Sequence, residues 1–228
     1  IRIDSRAGAV LRIMPVINDS INEEWITDKA RFNWDGLSRQ RLDSPYIREN
    51  GKLRVAKWDE ALSLAAEKLS GDPSKIAAIV GDLCDAESMK ALKDLMSSLD
   101  VKNIDCRQDG MTIGSDQRES YLFNSTINGI EDSDAILIIG SNPRLEASLV
   151  NTRIRKSWLA GKTTIALVGE FCDLTYDFEH LGTKPSDVLK LSKGKSGFSK
   201  IFKEAKRPSV IIGAGALNRK DTNKILSY

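Results

Sequence analysis

The sequence predicts an α/β fold in which a mainly parallel sheet carries helices on both faces, preceded by a small β-rich segment. Three observations predict it. From Trp58 onward, short apolar runs alternate with stretches of helical periodicity. The runs are unbroken rather than alternating, as strands covered on both faces require. The first 45 or so residues show no such rhythm.

Taken in order, Ile1 opens a strand-like run and Val10 to Val16 alternates like a strand after the turn Arg6-Ala7-Gly8. An acidic, aromatic stretch follows from Asn22 to Gly36. Tyr46 to Arg48 and Leu53 to Ala56 flank Glu49-Asn50-Gly51-Lys52, where Asn-Gly supplies the positive φ of a tight hairpin. Ala61, Leu62, Ala65, Ala66 and Leu69 form one apolar helical stripe, ended by Gly71-Asp72-Pro73. Ile76 to Val80 reads as a strand covered on both faces. Met89, Leu92, Leu95, Met96 and Leu99 mark the buried side of a second helix, with Asp85 as its cap. The pattern then predicts a strand near Asn103 to Cys106, a helix near Ser115 to Phe123 and the strand Ala135 to Ile139. The helix Ala147 to Ala160 and the strands Thr164 to Val168 and Ser209 to Ile212 complete it. Strands spaced by helices in this way give a Rossmann-like sheet. Asp187 to Arg207, rich in Lys, Ser and Gly, reads as a solvated loop. Its Lys193-Gly194-Lys195-Ser196-Gly197 lacks the glycine spacing of a phosphate loop.

Composition narrows the function. With 34 Lys plus Arg against 32 Asp plus Glu in 228 residues, a net charge of +2 gives no nucleic-acid groove, so no nucleic-acid partner is expected. No apolar run approaches the roughly 20 residues of a membrane helix, so no direct membrane insertion is expected. Both ends fall inside apparent elements, as in a piece of a longer polypeptide. Cys84, Cys106 and Cys172 form no CxxC pair, which fits a reducing compartment, and each reads as a small buried hydrophobe. His180 is the sole histidine, leaving little for a zinc site or for acid–base work.

The segment closest to a ligand motif is Ala135 to Arg144, a buried strand that breaks at Gly140 and enters a helix. In an open parallel sheet ligands sit beyond the carboxyl ends of strands, so Ser141, Asn142 and Arg144 would donate to a diphosphate there. The same residues, with Pro143, build a plain strand-to-helix turn equally well. No G-x-G-x-x-G follows a strand, and Gly213-Ala214-Gly215-Ala216-Leu217 lacks its third glycine. G-x-S-x-G is absent as well.

Ile139-Gly140-Ser141-Asn142-Pro143, Trp58 followed by Asp59-Glu60-Ala61-Leu62, and Arg153 to Trp158 resemble the molybdopterin oxidoreductase superfamily. Ile21 to Lys29, Trp34 to Leu37, Arg39 to Leu42 and Asp173 to Tyr176 resemble, more closely, the large iron–sulfur subunit of respiratory complex I, NADH:quinone oxidoreductase. The resemblance implies that residues 1–45 are the C-terminal part of a 4Fe-4S Mo/W bis-MGD-type domain and 46–228 a truncated molybdopterin oxidoreductase-like α/β domain. Thr27 stands where relatives place a cysteine ligand, and a hydroxyl does not replace a thiolate on iron, so the cluster is expected to be lost. Lys29, which lies between cluster and pterin in relatives, is expected to pair with Glu24 or Asp28. Asp109 is the one candidate near the molybdenum-ligand position, and the turn Gly140, Ser141, Asn142, Pro143, Arg144 is expected to be a vestige.

From the resemblance, the chain supports electron transfer from NADH to quinone as scaffold, without a catalytic site, metal or cofactor of its own. The intact subunit would carry 2Fe-2S and 4Fe-4S clusters upstream. Its partners would be other peripheral-arm subunits, including the NADH-oxidising flavoprotein. The arm would stand on the cytoplasmic face of the bacterial inner membrane, or on the matrix side of the mitochondrial one. Exposed Arg153, Arg155 and Lys156 would meet an acidic neighbour or form a solvated helix face. Two other assignments remain: part of an active enzyme such as a formate dehydrogenase, with dinucleotide at Ser141 to Arg144, or a free-standing nucleotide-binding module resting on Gly140 and Gly213 to Gly215.

Overall fold

The computed structural model describes every residue except 82, 107–109, 115 and 117. In chain order the strands and helices are β1 (Arg2–Arg6), β2 (Ala9–Met14), α1 (Asp28–Phe32), β3 (Tyr46–Glu49), β4 (Lys52–Val55), α2 (Trp58–Leu69), β5 (Ala77–Ile79), α3 (Ala86–Ser98) and β6 (Asn103–Asp105). There follow β7 (Ala135–Ile139), α4 (Pro143–Glu146), α5 (Ser148–Leu159), β8 (Thr164–Val168), β9 (Glu179–Gly182), α6 (Pro185–Ser192), α7 (Gly197–Glu204), β10 (Pro208–Ile212), α8 (Ala214–Leu217) and α9 (Thr222–Leu226). Two compact units result: residues 1–35 with 111–228, and residues 36–110.

The first unit is built on a parallel sheet of order β10-β7-β8-β9. All five residues of β7 are buried, because helices cover both faces. Ala135, Leu137 and Ile139 join Ala166 and Val168 of β8 against Val188, Leu191 and Phe198 of α6 and α7. Ile136 and Ile138 turn the other way, with Ile165 and Leu167, onto Ile154 of α5 and Leu174. Each fully buried side chain of this size contributes on the order of 1.5–3 kcal/mol, so the sheet is where the unit's stability concentrates. The predicted α/β class and the strands Ala135 to Ile139 and Thr164 to Val168 stand as read. The amino-terminal strands form an antiparallel hairpin whose turn, Ala7-Gly8, has both φ angles positive.

Two readings of this unit need correction. Asp187 to Arg207 is not a loop but holds most of α6 and all of α7. Pro185 starts α6, the Asp187 carboxylate accepts the Lys184 N–H at 3.0 Å, and Val188, Leu191 and Phe198 drive the helices onto the sheet. The predicted helix near Ser115 to Phe123 lies partly outside the described residues; the described part makes only a 3-10 turn, Arg118–Ser120.

In the second unit β3 and β4 form the expected hairpin on Asn50-Gly51, both at positive φ. β5 and β6 pair in parallel, and α3, capped by Asp85 as predicted, closes a small core of Ala78, Met96 and Val101. The apolar stripe of α2 is not buried: the helix buries no residue and Leu62 is 60% exposed. Ile76 to Val80, read as covered on both faces, is covered on one, with Ile79 exposed. The buried core of this unit is formed by Met96 of α3 with Ala78 of β5 and Val101. Leu95, read as buried, is exposed as well. Cys84 and Cys106 are exposed and Cys172 half-buried, because the first two sit outside the helices, the strands and the core.

No helix is long and apolar enough to cross a membrane among the described residues.

Candidate functional site

From β7 the chain runs outward to β8 and β9, then returns to β10 on the other side of β7. The switch point lies between β7 and β10, the place where an open parallel sheet offers a crevice to ligands. Here the two turns fill it themselves. Gly213 N–H donates to the Ile139 carbonyl at 2.9 Å, and Gly215 N–H to that of Gly140 at 2.9 Å. Gly140 sits at φ +60°, and a Cβ there would fall 2.5 Å from the Ala216 nitrogen. The glycine that leaves room for a phosphate in a binding turn therefore leaves room for α8.

The predicted donors are engaged within the chain. Glu146, on α4, takes the Ser141 hydroxyl at 3.0 Å on one carboxylate oxygen and the Asn142 N–H at 2.8 Å on the other. Arg144 donates instead to the carboxylate of Asp173 at 2.5 Å and to its carbonyl at 3.2 Å. Hydrogen bonds from the Thr175 N–H and from Arg144 hold the Asp173 carboxyl below the usual carboxylate range. Asn142 Oδ1 is buried with no hydrogen-bond donor among the described residues. A cleft of about 510 Å3 remains beside this turn, with Glu146, Glu170, Lys184 and Arg219 as its charged lining.

Thr27 caps α1: its hydroxyl accepts the Ala30 N–H at 3.2 Å. A second cleft, of about 520 Å3, brings Thr27, Asp28 and Lys29 together with Arg144 and Glu146, so two segments far apart in sequence share one wall. The expected pairing of Lys29 with Glu24 or Asp28 does not form among the described ion pairs; Thr27, between them, turns its hydroxyl into the helix start. Asp109 lies outside the described residues.

What sequence reading missed is a charge cluster joining residues 18–23 to α5. Arg153 is 4% exposed rather than on a solvated face. It donates to Glu131, to Glu23 at 3.3 Å and to the Asp19 carbonyl at 2.5 Å. Lys156 bridges Glu23 at 2.6 Å and Glu131 at 3.1 Å. Burial pushes the Glu131 carboxyl up, but the hydrogen bonds from Arg153 and Lys156 outweigh it and hold it below the usual range. The position of Arg153 within α5, one helical turn before buried Ser157, was the available signal.

The molybdopterin oxidoreductase family profile matches residues 41–228. The chain belongs to the molybdopterin oxidoreductase family. Residues 1–35 match a second profile, the NADH-ubiquinone oxidoreductase NDSU1/NuoG-like 4Fe-4S domain. Over its whole length this molybdopterin oxidoreductase chain is 44% identical to the mitochondrial NADH dehydrogenase (ubiquinone) iron-sulfur protein 1 of Solanum tuberosum, covering 31% of that relative. It is 44% identical over 99% of its length to the mitochondrial NADH-ubiquinone oxidoreductase 78 kDa subunit of Candida albicans, covering 32% of it. Identity to a subunit of the NADH-quinone oxidoreductase of Rickettsia felis is 46% over the whole chain and 34% of the relative. The chain thus spans about a third of the length of the curated relatives it matches. Within this molybdopterin oxidoreductase domain the half-buried Cys172 lies beside the turn, and burial, then the charges of Asp173 and Glu146, push its thiol up and keep it protonated at neutral pH.

Proposed function

We propose that this chain is a piece of the large iron–sulfur subunit of NADH:quinone oxidoreductase, respiratory complex I, and serves there as scaffold for electron transfer from NADH to quinone. The observation that carries the reading is whole-chain identity of 44–46% to subunits named for that complex in a plant, a yeast and a bacterium. Residues 1–45 are the tail of the cluster-type domain and 46–228 part of the α/β domain. The neighbours are other peripheral-arm subunits, including the NADH-oxidising flavoprotein, and the arm stands on the cytoplasmic or matrix side of its membrane. The working 2Fe-2S and 4Fe-4S clusters belong to upstream sequence.

Neither group that the family implies fits the residues present. Residues 1–35 contain no cysteine, and Thr27 spends its oxygen on a helix cap, so the segment offers a cluster no thiolate. At the strand-to-helix turn Ser141, Asn142, Pro143 and Arg144 stand as a vestige, with the Ser141 hydroxyl and the Asn142 N–H held by Glu146 and the Arg144 guanidinium by Asp173. No reaction step is assigned to this chain.

The test uses the complete subunit assembled in the complex. Thr27→Ala and Ser141→Ala together should leave NADH:quinone turnover within twofold of wild type, with unchanged iron content and no molybdenum. A tenfold loss of turnover in a fully assembled complex, or stoichiometric molybdenum, overturns the scaffold reading.

A further inference from the structure

We propose that Glu146 is an internal anion that occupies the phosphate position of the β7–α4 turn, so that this turn is closed to dinucleotides by its own carboxylate. The inference deepens the scaffold reading and rests on it in one respect, that no dinucleotide is required here.

A phosphate oxygen held at such a turn is bound by a backbone N–H, by a hydroxyl and by a cation from the following residues. In this chain the N–H of Asn142 and the hydroxyl of Ser141 both point to one carboxylate, an oxygen each, at 2.8 and 3.0 Å. The group has the charge sign, the planar pair of acceptors and the reach of two phosphate oxygens. The cation, Arg144, has been drawn to Asp173. A phosphate arriving at the turn would find a like charge in contact distance, with the Ser141 hydroxyl and the Asn142 N–H already engaged. Glu170, on the same cleft, adds a second negative charge.

Two further observations agree, and neither involves Glu146. Asn142 Oδ1, buried without a partner among the described residues, is an acceptor, which repels phosphate rather than binding it. Gly140, whose bare Cα would admit a phosphate, is already covered by Ala216. The cations that do line the cleft lie off the turn: Arg219 is held by Asp221 at 2.7 Å, and Lys184 stands at the start of α6.

The experiment follows the Ser141 and Asn142 amide resonances of the isotope-labelled chain by NMR. In wild type, 5 mM inorganic pyrophosphate or GDP should leave both unmoved; a response confined to Thr183 and Lys184 also supports the closed turn. In Glu146→Gln, an isosteric change at an exposed side chain, the Asn142 amide should shift as its acceptor loses charge. Pyrophosphate should then move both resonances. The proposal is overturned if either ligand moves Ser141 and Asn142 in wild type. It is equally overturned if the Asn142 amide is indifferent to Glu146→Gln, or if the variant answers pyrophosphate no more than wild type does. Failure of the scaffold reading would instead appear in turnover or molybdenum content, so the two are told apart.

Discussion

Replacing Arg153 by Met tests how the cluster-type segment is held to the α/β domain. Breaking a buried ion pair by removing one partner costs about 3–5 kcal/mol, because the other charge stays buried. Here the carboxylates of Glu23 and Glu131 keep 26% and 24% of their side-chain exposure, and Lys156 still bridges both. The Asp19 carbonyl loses its donor as well. The expected loss is therefore about 2–3 kcal/mol, a large part of the 5–15 kcal/mol that a domain has in total. Urea unfolding followed by circular dichroism measures it, and hydrogen exchange locates it: amides of residues 18–25 should exchange faster while those of β7 and β8 stay protected. The sign with pH is fixed by Glu131. Its folded carboxyl titrates below its unfolded value, so it contributes stability above the unfolded pKa, about 4.3, and loses it as pH falls through the depressed value. Arg153→Met should flatten that part of the acid slope. A variant within about 0.5 kcal/mol of wild type, with the acid limb unchanged, would refute the clamp.

Gly140→Ala should lower stability by about 3 kcal/mol, since the residue sits at φ +60° and the new Cβ meets backbone at 2.5 Å; thermal unfolding reads this, and an unchanged midpoint would contradict the packed crevice. Thr27→Ala should cost about 1 kcal/mol through loss of the α1 cap, seen as faster exchange of the Ala30 amide. Tyr176→Phe should cost about 1–2 kcal/mol, because the Tyr176 hydroxyl donates to Asn151 Oδ1 at 2.8 Å in the core and its removal orphans that acceptor; urea unfolding decides.

The central sheet was legible because β7 and β8 are unbroken apolar runs between polar turns, and such runs have one stable use. The helices α6 and α7 were hidden by their own surface. Lysines and serines dominate the stretch, and Val188, Leu191, Phe198 and Phe202 are too few to announce a face until the sheet is there to receive them. The stripe of α2 is the opposite case, since periodicity says which residues share a face and not whether anything covers it. At the turn, the sequence left diphosphate donors and plain turn equally open. Only partners in space separate the two: Glu146, five residues from Ser141, and Asp173, 29 residues from Arg144. Local spacing does not fix whether a donor has already been satisfied from elsewhere in the chain.

A binding turn that loses its ligand also loses the hydrogen bonds that ligand supplied, and each buried donor left bare costs about 1–3 kcal/mol. A fold that drops its chemistry is therefore under pressure to satisfy those donors from within. Four contacts here engage polar groups from within the chain: the Thr27 cap, the Glu146 carboxylate on Ser141 and Asn142, the Arg144–Asp173 pair, and the Arg153 clamp on Glu23 and Glu131. None of them touches the two-faced core of β7 and β8, where most apolar burial lies. Site and scaffold are thus separable in energy as well as in place, and the sheet persists on its own burial while the turn above it is closed by a few charged side chains.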